Sequence, residues 1–205
     1  MIASIFSEEC AYSLMAEVGA TPKPGLVDRH DSGAHTDMNY DTFAASTKAI
    51  VPYLTRMFEL GHGWSSKDFN ALFEQIRPVG VEAEKAMFQA TDGVNTHKGM
   101  IFSMGTIAAA AGLFYNRHNR FDAEKILMLA GYICYDAMRK DFQKIDRKNP
   151  KTNGELLYLR YSTKGIRGEA QKGFPSVRTI SLPKLRASFS SGQTENEAYL
   201  NTLLT

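Results

Sequence analysis

Gly93-Val-Asn-Thr-His-Lys-Gly-Met-Ile-Phe-Ser-Met-Gly105 is the stretch that decides the fold, because it joins a polar loop directly to an apolar helix. The apolar part continues to Tyr115, and from Met100 onward it contains no charged residue. A helix that is apolar on nearly every side is normally buried. We therefore predict that residues 100–115 form the central helix of the protein.

The polar loop in front of this helix is a candidate binding site. Asn95, Thr96, His97 and Lys98 stand where a helix exposes unpaired backbone N–H groups and the positive end of its dipole. Such a position favours a phosphate or a carboxylate. The alternative is that these residues only cap a core helix.

The fold class is predicted to be all-α, because helical spacing of apolar residues recurs along the chain and strand-like alternation does not. A chain of 205 residues is expected to form one α-helical domain over residues 1–205. Besides the central helix, helices are predicted at about residues 5–19, 41–58, 69–77, 78–90, 121–138, 182–190 and 194–204.

Several helix boundaries are predicted from capping residues and prolines. Capping residues are expected at Asp41, in a Ser65–Asp68 box and in a Thr194–Glu197 box. Pro78 should break the third helix or restart it, and residues 140–165, which are polar and basic, should be irregular. The last helix reaches the final residue without a Gly or Pro stop signal, so we expect a domain truncated at its C-terminus.

Charge is distributed unevenly, although the net charge is only +2. Residues 139–186 carry thirteen Lys or Arg against four Asp or Glu, whereas the remainder carries eleven against eighteen. A basic segment on an acidic body suggests a polyanionic ligand, or only a solvated face. Nucleic acid is not expected, since the segment lacks interleaved stacking aromatics and a DNA-binding motif.

The compartment is predicted from what the sequence lacks. Cys10 and Cys134 have no metal or redox spacing and indicate core thiols in a reducing cytoplasm. The N-terminus lacks the features of a signal peptide. The uncharged central helix is short for a membrane span, so no membrane partner is expected.

Four polar loops interrupt the helices, at residues 21–29, 33–38, 95–99 and 165–175. Their cations could clamp phosphates or could be solvated surface charges: Lys23, Arg29, Lys98 and Arg167. Their carboxylates suit Mg²⁺ binding or general-base work, or else helix caps and salt bridges: Asp28, Asp37 and Glu169.

Three further side chains are candidates. Glu84 shares a helix face with apolar residues, which is costly for a carboxylate unless it is paired or bound to a metal. An internal salt bridge to Arg29 or Arg167 is the alternative. His97 could donate a hydrogen bond to a phosphate or act as an acid or base near neutral pH, and His35 is a weaker candidate.

Taken together, these loops resemble the triphosphoribosyl-dephospho-coenzyme A synthase family, which prepares the prosthetic group of citrate lyase or of malonate decarboxylase. The matching segments run from the first helix to Pro175 in the family's order: Glu17-Val18, Thr21–Arg29, Ser32–His35, Asp37-Met38, Ala83-Glu84, Thr91, Gly93–Gly99, Gly165–Ala170 and Gly173–Pro175. Family members usually continue through more helices and a further Asp-Thr-Asn-type loop that is not found here.

The resemblance implies a transferase. In the family's reaction the triphosphoribosyl group of ATP moves to the 2′-hydroxyl of 3′-dephospho-CoA, and adenine leaves. Such a reaction needs a carboxylate near the sugar, a general base for the hydroxyl, and Mg²⁺ with cations for the triphosphate. The rival hypotheses are a non-catalytic nucleotide- or coenzyme-binding fragment and a nucleoside-triphosphate hydrolase. The resemblance leaves room for a homo-oligomer.

The resemblance also implies a role for each candidate site residue. We expect Lys23, Arg29, Lys98 and Arg167 to hold the triphosphate, with Asn95, Thr96 and His35 beside them. Asp28 is predicted to be the general base, and His97 and Glu169 are further catalytic candidates. Glu84 is predicted to bind Mg²⁺, with Asp37 as the second candidate ligand.

Overall fold

A computed structural model describes residues 1–150 and 152–205. The described part contains helices and no strand, which confirms the all-α prediction. The helices are α1 (Ile2–Gly19), α2 (Tyr40–His62), α3 (Phe69–Ala90), α4 (Lys98–His118), α5 (Ala123–Gln143), α6 (Asn153–Tyr161), α7 (Gly165–Gln171), a π-helical turn (Val177–Ser181), α8 (Leu182–Ser190) and α9 (Glu195–Leu203).

Helix α4 is the central helix, as predicted. Its buried residues are mostly small: Gly105, Ala108, Ala109, Ala110, Ala111 and Gly112 are among them. By length and composition α4 is the one described helix that could cross a membrane, yet 56% of its most apolar window is buried inside the bundle. Small side chains let other helices approach α4 closely, and burial by those neighbours is what a core helix requires.

The closest neighbour of α4 is α2. A Cβ atom added to Gly112 would collide with the carbonyl oxygen of Phe58, and one added to Gly61 would collide with that of Ala109. Ser46, near the start of α2, contacts His97 at the start of α4. The two helices therefore run in the same direction, and their first turns lie at one end of the bundle.

Helices α1 and α3 run the other way. Phe6 of α1 stacks on Phe58 near the end of α2, with ring centroids 4.5 Å apart. The guanidinium of Arg117 near the end of α4 lies 5.8 Å from the ring centroid of Phe69, the first residue of α3. The bundle end that carries the first turns of α2 and α4 thus also receives the last turns of α1 and α3.

Four boundary predictions are wrong. Asn39, and not Asp41, caps α2 in a box with Thr42. Asp68 caps α3 without Ser65, because Ser66 accepts the Asp68 N–H.

Helix α3 continues through Pro78. The region predicted to be irregular contains the last residues of α5 and all of α6, which Thr152 caps through the N–H of Glu155. The Thr194–Glu197 box is confirmed at the start of α9.

Candidate functional site

A cavity of about 400 Å³ opens beside the first turn of α4, between α3, α4, α5 and α7. We call it the main cavity. Its walls are largely apolar and include Phe73, Ile76, Ile101, Phe102 and Met138. An apolar cavity of this kind accommodates a flat ring system or another apolar part of a ligand.

Charged side chains stand among these apolar walls. Lys98 Nζ lies 3.1 Å from a carboxylate oxygen of Glu84, and an Arg77 nitrogen lies 2.7 Å from an oxygen of Asp141. Arg167 reaches the same cavity from α7, and no carboxylate of the described residues lies within 4.0 Å of its guanidinium. The main cavity therefore has one cation free to bind an anion and two cations held by carboxylates.

The loop before α4 is built to place Lys98. Thr91 donates its hydroxyl to the carbonyls of Met87 and Val94, which closes the turn after α3. The Asn95 side chain then accepts the N–H of Lys98 at 3.2 Å. Asn95 therefore serves the loop's own backbone, and Lys98 projects from the first turn of α4 towards Glu84.

Close backbone packing places Arg167. A Cβ atom on Gly131 of α5 would lie 2.7 Å from the backbone nitrogen of Gly173, which follows α7. Gly165 begins α7 with a φ of +52°, a conformation that glycine adopts without strain. Helix α7 is thus held against α5, and its Arg167 faces the main cavity.

His97 belongs to a buried polar cluster outside the main cavity. The Thr96 hydroxyl donates to Ser46 Oγ at 2.7 Å, and Ser46 Oγ lies 2.6 Å from His97 Nδ1. The ring of Phe43 packs edge-on against the imidazole, with centroids 4.9 Å apart. Burial lowers the pKa of His97 to about 4, so the imidazole is neutral at physiological pH.

Asp28 organises the first loop. Its carboxylate accepts hydrogen bonds from the Thr21 hydroxyl and from the backbone N–H groups of Lys23, His30 and Asp31, all at 2.8–3.0 Å. These donors hold the pKa of Asp28 far below its usual range. Because a carboxylate that already accepts four bonds is a weak proton acceptor, the geometry favours a structural role for Asp28 over the predicted general-base role.

Lys23 is committed to the same framework. Its ammonium is buried and donates to the backbone carbonyl of Glu17 at 2.7 Å and to the Glu17 carboxylate at 2.9 Å. A lysine held in this way ties the first loop to the last turn of α1. Lys23 does not line the main cavity, whereas Lys98 does.

Arg29 faces a different cavity, which we call the Arg29 cavity. Its guanidinium lies 5.5 Å from the centroid of the Tyr40 ring and close to Gly19 at the end of α1. Tyr12 and Tyr199 line the same cavity, whose volume is about 400 Å³. The structure thus separates Arg29 from Lys98 and Arg167, which share the main cavity.

The remaining candidates lie outside both cavities. His35 and Asp37 are exposed and face each other with Nδ1 and a carboxylate oxygen 3.8 Å apart. Glu169 accepts the N–H of Ser176 at 2.6 Å, which holds the turn after α7. Their predicted binding, metal and catalytic roles stay predictions, and the local contacts of Glu169 are structural.

Three functional candidates were missed by reasoning from sequence. Arg77 and Asp141 meet in the main cavity although 64 residues separate them, and neither lies in a polar loop. Ser46 is a small residue on the buried face of α2. A hydroxyl among apolar helix positions does not by itself indicate a functional residue. The role of Ser46 becomes visible only through its contact with His97 on the neighbouring helix.

The described residues contain no group of three or more His, Cys, Asp or Glu side chains arranged to hold a metal ion. Two carboxylates do enter the main cavity, from Glu84 and Asp141, whose side chains are 29% and 24% exposed. Mg²⁺ in nucleotide sites is usually held by one or two carboxylates together with phosphate oxygens and water. Glu84 and Asp141 are carboxylates of this kind, and in this structure each pairs with a cation of the same cavity.

The fold and the main cavity define a helical-bundle protein whose cavity combines apolar walls with charged side chains. Comparison with known proteins gives the family. The model of the ATP:dephospho-CoA triphosphoribosyl transferase family, CitG, matches residues 6–205, and the chain belongs to this family.

Three relatives illustrate the similarity. The probable 2-(5″-triphosphoribosyl)-3′-dephosphocoenzyme-A synthase of Photobacterium profundum is 40% identical over 94% of this chain and 61% of its own length. The synthase of Pectobacterium atrosepticum is 39% identical over 96% of this chain and 65% of its own length. The probable synthase of Lactiplantibacillus plantarum is 42% identical over 94% and 67%, respectively.

The chain thus spans about three fifths to two thirds of the length of these relatives. No solved structure matches the chain.

Proposed function

We propose that this chain carries the main part of a transferase that moves the triphosphoribosyl group of ATP to the 2′-hydroxyl of 3′-dephospho-CoA. In this reaction the glycosidic bond between adenine and the ribose C1 breaks, and a bond from C1 to the acceptor oxygen forms. The proton of the acceptor hydroxyl goes to a base, and adenine leaves with a proton. Membership of the family supports this proposal.

The observation that carries the proposal is the meeting of Lys98 and Arg167 in one cavity. They come from two polar loops almost seventy residues apart and face the same apolar walls. An apolar cavity with cations at one side suits a nucleotide, whose base is flat and weakly polar and whose phosphates are anionic. Of the four cations predicted to hold the triphosphate, we therefore retain Lys98 and Arg167.

The cavity carboxylates receive the remaining roles in this proposal. Glu84 is the proposed Mg²⁺ ligand, and Mg²⁺ would supply charge neutralisation for the triphosphate. Asp141 is the proposed stabiliser of the positive charge that develops on the ribose as adenine departs. Arg77 holds Asp141 by an ion pair, which fixes the carboxylate at the cavity wall.

The proposal extends to the product, the compartment and the partners of the protein. The product would be the precursor of the prosthetic group of an acyl carrier protein of citrate lyase or malonate decarboxylase. A cytoplasmic location is supported by two buried free thiols, Cys10 and Cys134, whose pKa values burial raises to about 11 and about 12. Neither nucleic acid nor membrane is a proposed partner, and a homo-oligomer is compatible with the proposal.

The test is the release of adenine from ATP in the presence of 3′-dephospho-CoA and Mg²⁺, followed by chromatography. Adenine released together with a triphosphoribosylated coenzyme product is the expected result. Binding of both substrates without release would instead identify a non-catalytic binding protein. Release of inorganic phosphate in place of adenine would identify a nucleoside-triphosphate hydrolase.

A further inference from the structure

The basic segment of residues 139–186 is almost unused by the proposed site. Of its Lys and Arg residues in the described part of the chain, only Arg167 lines the main cavity. The others lie on the last turns of α5, in the loop between α5 and α6, on α6 and beyond. So large a local excess of positive charge is a feature that the reaction proposed above does not explain by itself.

Three of these cations line a second cavity of about 390 Å³ between α5, α6 and α7, which we call the basic cavity. They are Arg139, Arg147 and Lys164, and no described carboxylate lines it. Arg139 pairs with Asp136, 3.1 Å away, whereas no described carboxylate lies within 4.0 Å of Arg147 or Lys164. The basic cavity therefore has a net positive charge and lacks an acidic wall.

Aromatic rings give this cavity a defined shape. The rings of Phe142 and Tyr158 pack with centroids 4.8 Å apart, which fastens α6 to the end of α5. The Lys164 ammonium lies 5.1 Å from the centroid of the Phe142 ring. Ring contact of this kind restrains a lysine that would otherwise be a mobile surface charge.

A smaller third cavity, of about 340 Å³, borders both of these cavities, and we call it the connecting cavity. This connecting cavity shares Asp141 and Arg167 with the main cavity and Ile145 with the basic cavity. Its walls carry both signs of charge, from the cations Lys144 and Arg167 and from the carboxylates Asp141, Asp146 and Glu155. All three cavities thus border the last turns of α5, the main cavity through Met138 and Asp141 and the basic cavity through Arg139 and Phe142.

We propose that the basic cavity binds the oligophosphate chain of an adenine nucleotide whose other end occupies the main cavity. The chain would pass Arg167, cross the connecting cavity and end between Arg147 and Lys164. Arginine presents a planar fork of N–H donors to phosphate oxygens, and lysine adds a compact charge. The connecting cavity has three carboxylates against two cations, so the gain in affinity is assigned to the phosphates that reach Arg147 and Lys164.

This inference rests on the proposed function only for the identity of the nucleotide. Two substrates could supply the phosphates, because ATP carries a triphosphate and 3′-dephospho-CoA carries a diphosphate. We therefore propose that the basic cavity binds an oligophosphate, which both substrates contain. Binding measurements then distinguish ATP from 3′-dephospho-CoA.

The experiment compares dissociation constants of ATP, AMP and 3′-dephospho-CoA by calorimetry for the unaltered protein and for an Arg147→Ala/Lys164→Ala double variant. Loss of two charge-assisted contacts should weaken the oligophosphate ligand at least about tenfold and AMP less than about twofold. Lys184→Ala is the matched control, since Lys184 is an exposed cation of the same basic segment outside these cavities. An Arg147→Lys/Lys164→Arg variant should retain most of the affinity.

The outcomes separate the hypotheses. Weakening of ATP alone assigns the triphosphate, and weakening of 3′-dephospho-CoA alone assigns its diphosphate. Equal weakening of AMP, or no weakening of either long ligand, overturns the proposal.

If the unaltered protein binds none of the three, inorganic tripolyphosphate is the probe, and its failure to bind overturns the proposal as well. A protein that binds ATP through Arg147 and Lys164 but releases no adenine would contradict the proposed function and leave this site standing.

Discussion

Ser46 Oγ lies 2.6 Å from Nδ1 of His97, and both side chains are buried where the first turns of α2 and α4 meet. Because Thr96 donates its proton to Ser46, the serine proton is available for His97 Nδ1. The imidazole would then carry its own proton on Nε2. This cluster ties the loop before α4 to α2, and it makes His97 a neutral part of the framework at physiological pH.

The first prediction concerns stability and pH. His97 has a pKa of about 4 in the folded protein and an ordinary value of 6.5 when unfolded. Between these values His97 is protonated in the unfolded chain but not in the folded protein. The free energy of unfolding therefore falls as the pH decreases from 6.5 to 4. The total loss of unfolding free energy from this group is about 3 kcal/mol once the pH has fallen to 4, and no such loss is expected above pH 6.5.

Urea unfolding at intervals from pH 7.5 to 4 checks this prediction. His97→Gln should be less stable at pH 7 and should show a flatter pH profile than the unaltered protein. His30→Gln is the matched control, because His30 is exposed, and it should keep the original profile. An identical profile in the His97→Gln variant would show that another group is responsible.

Much of the fold was predictable from the sequence, because the physical signals were local. The apolar stretch at residues 100–115 identified the central helix, and helical spacing identified most of the others. Pro78 misled the prediction, since α3 tolerates it within a continuous helix. Helix α6 was missed because it is short and most of its described side chains are exposed, so it lacks a strong apolar stripe.

The candidate site was only partly predictable. The polar loops do approach one end of the bundle, yet Arg29 and Lys98 line different cavities there. The Glu84 salt bridge was expected as an alternative, but its partner is Lys98. Arg77 and Asp141 lie on helices far apart in sequence, and such a pairing depends on tertiary packing that no local pattern records.

The second prediction separates a structural from a catalytic role for Asp28. Asn can accept hydrogen bonds at only one atom of its amide, so Asp28→Asn should leave some of the four loop donors without a partner. We expect the melting temperature to fall by about 5 °C or more in thermal unfolding. Asp37→Asn, at an exposed carboxylate, should leave it unchanged. A variant of Asp28 with normal melting and lost turnover would restore the general-base hypothesis.

The third prediction tests the contact between α2 and α4. Gly112→Ala would drive a methyl group into the carbonyl of Phe58, which cannot move without shifting α2. We expect a destabilisation of about 2 kcal/mol or more in chemical unfolding, typical of overpacking against backbone.

Gly99→Ala is the matched substitution in the same helix. No other atom lies within 4 Å of the added carbon there, so the general preference of helices for alanine should stabilise the protein slightly. Equal effects of the two variants would contradict the described packing.

The fourth prediction concerns Mg²⁺. Glu84→Gln removes a carboxylate from the main cavity, so the increase in ATP affinity that Mg²⁺ produces should shrink by about tenfold. The control is Glu82→Gln, because Glu82 lies on the same helix and also forms an ion pair, with Arg56 at 2.9 Å, but does not line the main cavity. Calorimetry with and without Mg²⁺ measures both. An unchanged Mg²⁺ effect in Glu84→Gln would remove the metal assignment.

The most direct test of the account compares the dissociation constant of ATP for Arg167→Ala and for Arg29→Ala. Both substitutions remove one exposed guanidinium, but Arg167 lines the main cavity and Arg29 lines the Arg29 cavity. If the main cavity binds the nucleotide, Arg167→Ala weakens ATP binding by about tenfold or more, and Arg29→Ala changes it by less than about twofold. The opposite order, with ATP lost on removal of Arg29 and retained without Arg167, would contradict the placement of the nucleotide in the main cavity.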